Sequence, residues 1–229
     1  MSHPVISVVI PAFNEEQSIG KVVNDISRDI VKHVIVVNNN STDNTVEIAR
    51  KAGAIVLDEP RKGYGWACLK GIEKCKTLKT DIIVFLDGDY SDYPEEIALV
   101  IAPIIEQDMD MVIGSRVLGV RERGSLMPQQ IFGNWLATKL IRLFYHAKFT
   151  DLGPFRAMKF ESLEKLKMAD KTYGWTIEMQ IKAAKQNMRF CEVAVNYKRR
   201  IGKSKVSGTI KGTLLAGIKI IFAVFKYLF

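Results

Sequence analysis

Hydrophobic positions follow two rhythms along the chain. Val5 to Pro11 is an unbroken, mostly β-branched run closed by turn formers, as in a strand buried on both faces. Glu15 to Asp29 instead places its apolar residues at helical spacing. The alternation continues: strands are predicted at His33 to Val37, Ala54 to Leu57, Asp81 to Leu86 and Asp110 to Ile113. Helices are predicted from about Thr45 to Lys51, Tyr64 to Cys75 and Pro94 to Glu106. Such repeats predict an α/β fold with a mostly parallel sheet, helices on both faces and ligands at the carboxyl ends of the strands. Periodicity lapses from Arg116 to Gln130, where Gly, Arg, Pro and Gln suggest a long functional loop. Beyond it the pattern predicts a helix over Ile131 to Tyr145, a turn at Asp151 to Pro154, a helix near Ile177 to Gln186 and an alternating strand Phe190 to Tyr197.

The last stretch, TLLAGIKIIFAVFKYLF, is interrupted only by Lys219 and Lys226, which share one side of a helix. It is shorter than the roughly 20 residues of a spanning helix. An interfacial helix is expected, apolar side in lipid and lysines at the headgroups; packing on the catalytic domain and spanning are the alternatives. The chain thus reads as a catalytic domain over 1–207, with halves meeting near 115, and a membrane-associating helix over 208–229.

Composition narrows the class. With 229 residues, 48% hydrophobic and 25% charged, the chain has material for a large core, which argues against wholesale disorder and a multi-span membrane protein. The net charge of +8 is uneven: from Lys182 onward there are eleven Lys/Arg against the single acid Glu192. An anionic partner for the tail follows, either phosphate groups or an anionic membrane, with a solvated basic face as the bland alternative. Nucleic acid is not expected, because the basic stretch has no aromatic stacking platform. Cys68, Cys75 and Cys191 lack metal-type spacing and read as reduced thiols. The N-terminal apolar run has no basic region before it, so no signal peptide is expected. The expected location is cytoplasmic, peripheral on the inner membrane face.

Asp87-Gly88-Asp89 directly follows an apolar strand. Carboxylates two apart in extended backbone project to one side, so both can face one divalent ion, and the glycine lets a phosphate approach. An ion held there would neutralise a diphosphate leaving group. Asp-Gly-Asp alone also suits a turn. Arg61-Lys62-Gly63-Tyr64-Gly65 opens a helix where N–H groups and Lys62 could hold a phosphate oxygen, although a turn explains it equally well.

In these motifs the chain resembles the family 2 glycosyltransferases of GT-A fold, and among them the dolichol-phosphate-mannose-synthase-like and polyprenyl-phosphate glycosyltransferases. Further markers are Val8 to Glu15, Asn38 to Asp43, Gly114-Ser115-Arg116, Thr150 to Arg156 and Gly202-Lys203-Ser204-Lys205. The resemblance implies an inverting hexosyltransferase with Mn2+ or Mg2+ held by Asp87 and Asp89. Its donor would be a nucleotide diphosphate sugar, UDP-glucose before GDP-mannose, and its acceptor a polyprenyl or dolichyl phosphate. Pro11, Ala12, Asn14, Glu15, Asn39, Asp43, Lys62, Gly63, Asp87 and Gly88 are then expected at the nucleotide sugar, with Asn39 where relatives carry an acid that contacts the base. Asp89, Asp151 and Glu178 are the catalytic candidates. Arg116, Arg156, Arg199, Arg200, Ser204 and Lys205 are expected at phosphates of donor or acceptor. A phosphate acceptor is already ionised near neutral pH and needs little help from a base. The same donor chemistry with a soluble acceptor, and a non-catalytic nucleotide-binding module, stay open as alternatives.

Overall fold

The computed structural model describes residues 3–202 and 221–228. Seven strands form one sheet in the order β3-β2-β1-β4-β6-β5-β7. They are β1 (Ile6–Ala12), β2 (His33–Asn38), β3 (Ile55–Asp58), β4 (Ile82–Phe85), β5 (Met111–Ser115), β6 (Arg156–Lys159) and β7 (Phe190–Ala194). All neighbours pair in parallel except β6, which runs antiparallel to both β4 and β5. The expected mostly parallel α/β sheet is therefore present, with a reversed strand that periodicity did not announce.

Side chains alternate between the two faces with the pleat. Val9, Ile35, Ile83, Phe85, Met111 and Ile113 point into one core with helices α3 (Tyr64–Thr77), α5 (Pro128–Tyr145), α6 (Phe160–Leu166) and α7 (Trp175–Lys185). Val8, Ile10, Val34, Val36 and Val84 point into the other, under α1 (Ile19–Asp25), α2 (Thr45–Lys51) and α4 (Ile97–Gln107). Each such side chain contributes roughly 1.5–3 kcal/mol of burial, which is why the β-branched runs become central strands.

Among the boundaries that differ from expectation, those at the starts of α1 and α5 have local reasons. Helix α1 begins at Ile19, four residues late, because Glu15 to Ser18 form a turn whose Glu15 carbonyl accepts the N–H groups of Ser18 and Ile19. Helix α5 begins at Pro128 rather than Ile131, since proline suits a first helical position and Gln130 Oε1 accepts the Met127 N–H at 2.8 Å.

Most of the proposed C-terminal helix lies outside the described residues. Residues 221–226 are helical. Ala223 and Val224 are buried, Phe225 meets Phe144 edge to face, and Tyr145 Oη donates to the Val224 carbonyl. Ile221 and Phe222 face outward. This end of the chain is thus packed on α5 along one side.

Candidate active site

Because β1, β2, β4, β5 and β7 point the same way, their following loops meet at one edge of the sheet, joined by the segment that leads into the reversed β6. The first two are stitched together. Asn14, in a left-handed backbone conformation with φ of 54°, accepts the Thr42 N–H at 2.8 Å, and its own N–H donates to Ser41 Oγ at 3.0 Å. Asp43 accepts the Glu16 N–H at 3.2 Å and the Thr45 N–H at 3.1 Å, and Thr45 Oγ1 accepts the Glu15 N–H at 2.8 Å. Pro11 and Ala12 end β1 beside this seam. These expected nucleotide residues are thereby brought together in one seam between the loops after β1 and β2.

Asn39 closes a different seam. Its amide nitrogen donates to the carbonyls of Glu59 (3.0 Å) and Arg61 (2.7 Å), and its oxygen accepts the Gly63 N–H at 2.8 Å. Asn39 thus shapes the 59–63 loop through these three hydrogen bonds. Gly63 and Gly65 are likewise explained by packing. A Cβ on either would lie 2.2 Å from a backbone carbonyl, that of Lys171 or Asp170. The Lys171 carbonyl also accepts the Trp66 N–H at 3.2 Å. The start of α3 is a loop junction, with Lys62 exposed beside it.

Asp87 and Asp89 follow β4 at the centre of this edge. Asp87 is partly open and accepts a hydrogen bond from Tyr64 Oη at 3.1 Å. Burial, and then the neighbouring Asp89 charge, pushes its carboxyl up to about 7. Asp89 is 5% exposed; its Oδ1 accepts the Ser91 N–H at 3.0 Å, and its Oδ2 lies 3.1 Å from Arg200 Nη2. Gly88 between them is buried, and a Cβ there would make only ordinary contacts at 3.5 Å. Asp92, which the motif reading passed over, is buried beside them with neither carboxylate oxygen partnered among the described residues. Its offset of three from Asp89 was the available signal.

These carboxylates fit a divalent ion. Two hard oxygen ligands repel each other when unscreened, and Asp89 has drawn a guanidinium to itself. No three His, Cys, Asp or Glu side chains among the described residues form a cage. The pair therefore suits an ion of the Mg2+ or Mn2+ type, which takes its other ligands from phosphate and water.

The loops after β5 and before β6 are held together by a buried ion pair. Asp151, 1% exposed, grips Arg116 twice, Oδ1 to Nη2 at 2.7 Å and Oδ2 to Nε at 2.8 Å, and also accepts the Arg116 N–H at 2.8 Å. Burial works against the charged form, but Arg116 outweighs it and holds the Asp151 carboxyl below its ordinary value. Glu192, also unforeseen, accepts the N–H groups of Thr150 and Asp151. Arg156 is 1% exposed and donates to the carbonyls of Leu152, Gly153 and Thr176. It organises the loop from within instead of facing a phosphate. Arg199 donates to the Arg123 carbonyl at 2.7 Å and 2.9 Å. Ser204 and Lys205 lie outside the described residues.

Glu178 is fully buried, and its oxygens are occupied. It accepts N–H groups from Ala169 (2.9 Å) and Asp170 (2.7 Å) and the Tyr227 hydroxyl (2.7 Å), and pairs with Lys182 at 2.6 Å. It ties the 169–174 loop and the chain's last helix to α7, a different task from receiving a proton. Glu178→Ala is expected to destabilise the fold by on the order of 3 kcal/mol, since four donors lose their acceptor together. Urea denaturation checks this, and a change below about 1 kcal/mol would remove the anchoring role.

Comparison with known proteins agrees with this fold. The family model described as Glycosyl transferase family 2 matches residues 7–167. An uncharacterized glycosyltransferase of Mycobacterium tuberculosis is 32% identical over 219 residues, 94% of this chain and 96% of the relative. A dolichyl-phosphate hexose transferase of Haloferax volcanii is 32% identical over 206 residues, 88% of this chain and 86% of the relative. The crystal structure of glucosyl-3-phosphoglycerate synthase from Mycobacterium tuberculosis, in complex with Mn2+, UDP and phosphoglyceric acid, superposes with a TM-score of 0.78 at 22% identity. The match covers 98% of this chain and 78% of that one. The latter likeness is one of fold.

Proposed function

The chain belongs to glycosyl transferase family 2, and we propose that it moves a hexose, with inversion, from a nucleoside diphosphate donor to a polyprenyl phosphate at a membrane surface. UDP-glucose is the first donor to test and GDP-mannose the second, since Asn39 leaves the choice of base to other groups of the pocket. Asp87 and Asp89 would hold Mn2+ or Mg2+, as the synthase structures carry. When bound, such an ion supplies charge neutralisation to the departing diphosphate.

One observation carries the choice of acceptor. A cavity of about 460 Å³ opens beside Asp151 and Thr150 and is lined by Val117, Leu126, Ile131 and Trp135 together with Arg121, Lys139, Arg142 and Lys148. Cations at a largely apolar groove match a molecule with an anionic head and a hydrocarbon body. An ionised phosphate oxygen needs no base to become a nucleophile, in keeping with the occupied carboxylates of Asp151 and Glu178. Asp151 then serves as the residue that positions Arg116.

Helix α5 offers a surface of its own for a membrane. Ile131, Phe132, Trp135 and Leu143 are exposed there, as are Leu118, Val120 and Met127 of the preceding loop. No helix among the described residues is long and apolar enough to cross a membrane. Replacing Phe132 and Trp135 together by serine is expected to weaken binding to anionic vesicles by about tenfold or more, from lost aromatic burial. Cosedimentation measures it, with UDP affinity unchanged as the control.

The deciding assay offers labelled UDP-glucose and GDP-mannose, with Mn2+, to undecaprenyl phosphate, dolichyl phosphate and 3-phosphoglycerate. Product on a lipid phosphate is expected. Transfer to the soluble acid alone would replace this reading with the soluble-acceptor one.

A further inference from the structure

Arg200 stands where a cation is wanted. Its Nη2 lies 3.1 Å from Asp89 Oδ2 and 3.6 Å from Glu15 Oε1. Its Nε is buried without a partner among the described residues. The backbone on either side is pinned. The Lys198 N–H donates to the Ser91 carbonyl, the Ile201 N–H to the Asp89 carbonyl and the Arg199 N–H to Glu122, each at 2.9 Å. The Arg200 side chain is nevertheless 29% exposed. It can swing outward while the segment that carries it stays in place.

We propose that Arg200 is a tethered counter-cation that competes with the divalent ion for Asp89 and is displaced when ion and diphosphate arrive together. The inference rests on the reading of Asp87 and Asp89 as the ion-holding pair. A hard cation needs Asp89 Oδ2, the atom the guanidinium now contacts. Being attached to the chain, the guanidinium is present at high effective concentration, so an ion alone competes poorly. A diphosphate changes the balance, because its oxygens suit the planar fork and the unused Nε donor, and so draw Arg200 away from the carboxylate. Ion and diphosphate then strengthen each other's binding by one shared factor. The empty enzyme stays low in metal, and the ion enters with the donor.

The test is Mn2+ binding to the full chain without nucleotide, followed by electron paramagnetic resonance of the unbound ion. Arg200→Gln and Arg200→Met are expected to bind Mn2+ at least about tenfold more tightly than wild type. UDP should then tighten Mn2+ binding less in these variants than in wild type. Equal or weaker Mn2+ binding by both variants, with melting temperatures intact, would overturn the proposal. Arg200→Met keeps the aliphatic stem and decides the matter if the glutamine variant does not fold. Asp89→Asn, alone and combined with Arg200→Gln, separates the two levels. If Asp89→Asn abolishes Mn2+ binding while the Arg200 variants match wild type, the ion-holding pair stands and the competitor falls. If Asp89→Asn changes nothing, the ion-holding reading falls, and with it this proposal.

Discussion

Asp89→Asn is expected to slow sugar transfer by about a thousandfold or more under saturating donor and Mn2+, with the fold preserved. Charge neutralisation by a bound ion is worth several kcal/mol in the transition state, and each 1.36 kcal/mol is about a factor of ten in rate. The amide keeps an oxygen for the Ser91 N–H, the contact that shapes the loop after β4, so the loss should fall on chemistry. Single-turnover transfer measures the rate, and a melting curve checks the fold. A reduction below tenfold would take Asp89 out of the ion-holding role. A binding module would lose metal affinity without any turnover to lose, so the same variant also tests whether the site is catalytic.

Asp151→Ala should produce the largest loss of stability, about 3–5 kcal/mol, because it strands the guanidinium of Arg116 in a buried position. The side chains are 12% and 1% exposed, so solvent offers little relief. The pH dependence has a definite sign. The Asp151 carboxyl is held below its ordinary value in the folded state, so its contribution is fully present above the unfolded value, about 3.9. It is lost as pH falls through the folded value. Urea denaturation of wild type and Asp151→Asn should therefore show a full gap at neutral pH that closes in acid. A gap independent of pH would mean that shape, rather than charge, holds this corner.

Much of this architecture was legible in the pattern of apolar residues. Helix α2 has the predicted bounds, and β1 to β4 fall within a residue or two of theirs; β1, β2 and β4 are buried on both faces and leave apolar runs, and β3 is a short apolar edge strand. Strand β6 and helix α6 left no comparable trace. Arg-Ala-Met-Lys is four residues long with a cation at each end, and its place in the centre of the sheet comes from partners more than forty residues earlier.

The site divides in the same way. Asp87 and Asp89 could be singled out as candidates because their position after an apolar strand is a local fact. The tasks of Asn39, Arg156 and Glu178 could not, because each is set by distant chain: Arg61 for the first, Thr176 for the second, Tyr227 for the third. A polar residue at a family position says which loop it belongs to; the hydrogen bonds it makes decide whether it faces a ligand or the loop itself.

The reversed strand bears on how the protein comes into being. Until residue 159 has left the ribosome, β4 keeps a naked outer edge and β5 has neither of the neighbours it pairs with. The first 115 residues, although they hold Asp87 and Asp89, are an unfinished sheet with exposed ladder groups that invite mispairing. Expressed apart, residues 1–115 and the rest are expected not to recombine as ready-made modules, because the later segment inserts the strand that completes the earlier sheet.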